Sequence, residues 1–81
     1  MIDDKQLRED VQVATEIEIE ITMDIMQVNR ERAILDLKED AQDWYDMCIA
    51  LAGKEDAAGN IQEGERLARK ALHRKEYIES L

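Results

Sequence analysis

The chain has no proline and no phenylalanine, a single cysteine, a single histidine and three glycines, the first of them Gly53. Each shortage excludes something. Without proline, nothing forces a helix to stop. Cys48 has no second cysteine to pair with, and one cysteine with one histidine, His73, cannot fill the four positions of a structural zinc site. A lone thiol in an apolar run reads as a small buried hydrophobe, and it fits a reducing, cytoplasmic location. No apolar run reaches the ~20 residues needed to span a bilayer, and no signal peptide is recognisable, so no membrane role is expected. Bases are also scarce: 20 acids stand against 11 bases, for a net charge of −9. The imbalance is uneven, with 16 acids and 6 bases in residues 1–56 but 4 acids and 5 bases in residues 57–81. Such a field repels DNA, RNA and anionic lipid, which argues against direct nucleic-acid binding and points to protein partners with basic surfaces.

What the chain does have is helix-forming sequence. Asp3 followed by Gln6 resembles a capping box and starts a helix near Asp4. Good helix formers then continue to Ala52, where Gly53 fits the position that ends a helix. GKEDAAGN (53–60) is the turn-like cluster, and Asn60 is a plausible cap for a second helix over residues 61–80. Two apolar stripes support an antiparallel hairpin of these segments. Ile34, Leu37, Ala41, Trp44, Cys48 and Leu51 recur at 3-4 spacing on the first. Ile61, Gly64, Ala68, Ala71, Leu72, Ile78 and Leu81 form the stripe of the second, interrupted at Lys75. The acids of the first stretch (Asp36, Glu39, Asp40, Asp43, Asp46) are expected to face the bases of the second (Arg66, Arg69, Lys70, Arg74, Lys75).

EIEIEITMDI (16–25) alternates apolar and polar residues, which is the pattern of a strand. Nothing else in the chain resembles a strand for it to pair with, so a strand here would have to form a ribbon between two chains. A helix buried on two sides gives the same alternation, because two residues turn about 200°. On that reading Ile19, Met23 and Met26 join the hairpin stripe. The opposite stripe, Leu7, Val11, Ala14, Ile17, Ile21, Ile25, Val28 and Leu35, has no partner within the chain. Left in water, its larger members would each forgo ~1.5–3 kcal/mol.

The expected fold is therefore all-α: a long helix over about residues 4–52 and a shorter one over 61–80, forming one helical-hairpin domain. It dimerises through the long helix as a bundle or coiled coil. The alternative is a bend near Asn29–Arg32 giving a three-helix bundle, against which stands the absence of glycine and proline from NRER.

No catalytic residue, cofactor or metal is expected. The acidic ladder Asp36, Glu39, Asp40, Asp43, Asp46 has the helical spacing of metal-binding carboxylates, but the facing acidic pair that such sites need is missing. His73 follows Arg66 with six residues between, a spacing common in any basic helix, and reads as a packing or surface histidine. The same ladder, with Tyr45, is the candidate partner-binding surface. The expected function is a small, acidic, non-enzymatic regulator or inhibitor acting as a helical homodimer on a basic protein. A metal-dependent hydrolase and a nucleic-acid-mimicking inhibitor are the alternatives.

Overall fold

In the computed structural model, which describes residues 2–81, the chain forms three helices. They are α1 (Asp4–Met26), α2 (Arg30–Ala57) and α3 (Ile61–Ser80). No strand is present among the described residues, so EIEIEITMDI is helical.

The expected single helix over residues 4–52 is interrupted after Met26. Gln27 takes the left-handed conformation (φ 54°), and the Val28 N–H closes back onto the Met23 carbonyl. This is the hydrogen-bond pattern that glycine normally supplies at a helix end. The Gln27 side chain ties the turn down by donating to the Asp24 carbonyl. Asn29 then caps α2, its side chain accepting from the Arg32 backbone N–H at 2.9 Å. The break needs neither glycine nor proline because a glutamine carries the positive φ and an asparagine provides the next cap.

Gly53, by contrast, ends nothing. α2 runs through it to Ala57, and the reversal falls at Gly59 (φ 91°), where the Asn60 N–H reaches the Glu55 carbonyl at 2.8 Å. A mid-helix glycine costs only about 1 kcal/mol, and Lys54 to Ala58 favour continuation. The start of α1 is as expected: Asp3 accepts from the Gln6 N–H at 3.1 Å.

The principal extents are 43 × 23 × 19 Å. The radius of gyration of 13.7 Å exceeds the ~12 Å of a rounder chain of this length, so the bundle is long and its interior thin. α2 and α3 form the most extensive pairing. Small residues permit it: Ala33, Ala41, Ala52, Gly64 and Ala71 are all buried. A Cβ on Gly64 would lie 2.8 Å from the Ala52 carbonyl oxygen and 2.2 Å from an Asp56 carboxylate oxygen. The helices approach each other too closely there for any side chain.

The hairpin stripe is shifted from its expected register. Ala41, Ala71 and Ile78 are buried, and Ile34, Leu37, Trp44, Cys48 and Ala68 are half-buried. Leu51, Ile61 and Leu72 are exposed, and Ala52, His73 and Arg74 take the inward positions instead. The rotation of α3 has a cause in α1, which needs the polar groups of α3 turned toward it.

Candidate interaction surface

α1 is docked by charged side chains as much as by apolar ones. Its inward residues are Leu7, Val11, Thr15 and Ile19, with Ile19 completely buried. The Thr15 hydroxyl satisfies itself by donating to the Val11 carbonyl at 2.7 Å. Around this strip stand three polar pins. At the first, Asp4 lies 2.8 Å from His73 Nε2 and 3.5 Å from Arg69 Nη1. The His73 hydrogen bond does most to hold the Asp4 carboxyl below the usual carboxylate range, with Arg69 adding to it.

The second pin is Glu16. It receives two parallel hydrogen bonds from Arg30 (2.8 and 2.9 Å) and one from the Tyr77 hydroxyl (2.5 Å). Chiefly because of Arg30, and then Tyr77, its pKa is lowered to about 2. The same hydrogen bond to Glu16 pushes the Tyr77 hydroxyl above its ordinary value. The third pin joins all three helices. Arg74 donates to both oxygens of Glu18 (2.6 and 3.3 Å) and stacks on the Trp44 ring, 3.9 Å from its centroid. Arg74 is buried, and its Nη1 has no hydrogen-bond partner among the described residues. The guanidinium is therefore held by one carboxylate and one aromatic face.

These pins correct the expected charge pairing. The interhelical ion pairs found among the described residues all involve acids of α1: Arg69, His73 and Arg74 of α3 and Arg30 of α2 reach Asp4, Glu16 and Glu18. No base of α3 forms an ion pair with the α2 ladder among the described residues. Lys75 pairs with Glu79, which does most to raise its pKa, but lies close enough to Tyr45 and Asp46 for their charges to add to the rise. The rest of the ladder is left outward. Glu39, Asp40, Asp43 and Asp46 are exposed, and Asp46 accepts from Gln42 within its own helix. Asp36 is half-buried and paired with Arg32 at 3.3 Å. Tyr45 is half-buried beside Lys75, whose ammonium lies 5.7 Å from its ring centroid. Among the described residues no three His, Cys, Asp or Glu side chains converge as a metal site would require. No described helix is long and apolar enough to cross a membrane. The Cys48 thiol is half-buried, and burial raises its pKa, which suits packing better than nucleophilic chemistry.

The stripe expected to need a second chain is split by the fold. Leu7 and Val11 are covered by the chain's own helices and Val28 is half-buried, so for them the reason for a second copy disappears. Ala14, Ile17, Ile21, Ile25 and Leu35 stay exposed. Ile17 and Ile21 are each 52% exposed and Ile25 is 77% exposed. Val13, which the two-sided helix leaves off both stripes, joins them at 62%. α1 is thus inverted over its central turns, with Thr15, Glu16 and Glu18 turned toward the bundle and three of its four isoleucines turned away. The alternation hinted at this, since it places Ile17 and Ile19 on different sides. Which acids would turn inward was hidden, because their partners lie far along the chain.

A cleft of about 620 Å³ lies at one end of the bundle, where Ile2, Asp3 and Leu7 face Asn60, Ile61 and Glu63. It is wide open and its carboxylates have local partners.

No family model matches the chain, and comparison with curated proteins and with solved structures yields no match either.

Proposed function

We propose that this chain is an acidic, non-enzymatic binding module, a small regulator or inhibitor that acts by capturing a basic protein. The observation that carries the reading is the inversion of α1. A marginal 81-residue chain turns three isoleucines outward and docks this helix partly through half-exposed, ion-paired carboxylates, leaving in water apolar area whose burial would have stabilised it. Exposed apolar residues in a row mark an interface. The surrounding charge sets its sign: α1 and α2 carry seven and eight acids against two and four bases, while α3 carries four acids and five bases.

The test is association with a protein captured from cell lysate. Association is expected to slow as salt rises from low to physiological levels, because steering by unlike charge is screened. Reversing charge with Asp40→Lys and Asp43→Lys should lower the association rate more than it raises dissociation. Binding indifferent to both changes, or capture of duplex DNA at physiological salt, contradicts the reading.

A further inference from the structure

We infer that the outward face of α1 is a docking ridge for a basic amphipathic helix of another protein; the inference rests on the binding role just proposed and names its place. Val13, Ile17, Ile21 and Ile25 recur every fourth residue, so their side chains form one ridge along a straight helix. Twelve residues at 1.5 Å make it about 18 Å long, the length over which a second helix lays three turns of side chains into a groove.

The charges on this face choose the occupant. Asp10, Glu20 and Asp24 are exposed, and each stands three residues from a ridge residue, directly beside it on the helix surface. No lysine or arginine follows Arg8 in α1; Arg30 of α2 lies within charge reach of Glu20 but is committed to Glu16, so the face keeps its negative sign. A second copy of the chain would bring a face of the same negative sign against this one, an arrangement that like-charge repulsion disfavours. A helix with lysine or arginine flanking an apolar stripe meets both requirements at once: its stripe covers the isoleucines and its cations face Asp10, Glu20 and Asp24.

The experiment uses the full chain and a capped helical peptide of about 18 residues, with leucine at every fourth position and lysines on either side. Nuclear magnetic resonance shifts of the labelled protein locate the binding. The expected result is perturbation along residues 9–25, weakening of roughly tenfold or more with Ile21→Ser, and loss with a peptide whose lysines are replaced by glutamates. Ile21 is exposed, so the variant should keep its fold, and circular dichroism checks this. Perturbations confined to the α2 ladder, abolished by Asp40→Lys with Asp43→Lys and untouched by Ile21→Ser, overturn the ridge while leaving the binding role intact. A wild-type dimer in sedimentation that Ile21→Ser converts to monomer also overturns it, by making a second copy the occupant. A monomer that binds the peptide nowhere overturns the ridge and removes support for the broader reading as well.

Discussion

The α2–α3 hairpin and α1 are joined to the same bundle by different means. The hairpin is held by small residues brought close together, with Gly64 set directly against the Ala52 carbonyl. α1 is held by a narrow apolar strip and three charged pins. Close packing of small residues is sensitive to added volume and indifferent to charge. Charged pins are the reverse. The difference teaches which helix has surface to spare: the one fixed by its polar groups can turn isoleucines outward.

The sharpest way to break the comparison is at the pin joining all three helices. Glu18→Ala leaves the buried Arg74 guanidinium without its carboxylate, and should cost about 2–3 kcal/mol. Arg74→Met keeps an apolar stem against Trp44, and should cost about 1 kcal/mol or less. The double variant should be more stable than Glu18→Ala alone, because the orphaned charge is gone. Urea unfolding followed by Trp44 fluorescence measures all three.

The hairpin should break differently. Gly64→Ala gains about 1 kcal/mol of helix propensity but drives a methyl group into a backbone carbonyl. That clash sits at the upper end of the ~1–3 kcal/mol range for overpacking, leaving a net loss of about 1–2 kcal/mol. Asp56→Ala in the same chain should not restore stability, since the Ala52 carbonyl stays in place. Full rescue would show that the contact is with the flexible side chain alone.

Acid should loosen α1 in preference to the hairpin. Glu16 is held at about 2 in the fold against an ordinary 4.5, so as pH falls the unfolded chain takes up the proton first. The stability it confers is fully present above its ordinary value and drains away as pH falls toward its folded value. Asp4 is lowered in the same sense. The urea midpoint should drop between about pH 5 and about pH 3, and Glu16→Gln should flatten part of that drop. An unchanged slope in Glu16→Gln would assign the acid sensitivity to other carboxylates.

The same contrast explains what could be read from the sequence. Helical class and the start of α1 are legible, because helix-forming composition and the Asp3 cap are local signals, whereas of the turn expected over 53–60 only its last residues leave the helix. The end of α1 is not legible, because it depends on Gln27 adopting a conformation usually left to glycine. The register of α3 was hidden for a different reason. Leu72 belongs inward on hydropathy alone, but His73 and Arg74 displace it because their partners, Asp4 and Glu18, are supplied from the other end of the chain. A stripe read one helix at a time cannot include a third helix that docks through charge. The exposed ridge of α1 is half legible: the sequence pattern sets Ile17, Ile21 and Ile25 on one face, but the same stripe includes Leu7 and Val11, which the bundle covers itself.

The central claim is that α1 points its isoleucines outward while its acids hold it in place. Thiol labelling in a Cys48→Ala background tests this most directly, with single cysteines at Ile17, Ile19 and Ile21. The account predicts that Ile17→Cys and Ile21→Cys react within roughly tenfold of an unfolded thiol, and that Ile19→Cys reacts at least about a hundredfold more slowly, only when the bundle opens. Protection at positions 17 and 21 comparable to that at 19 would contradict it.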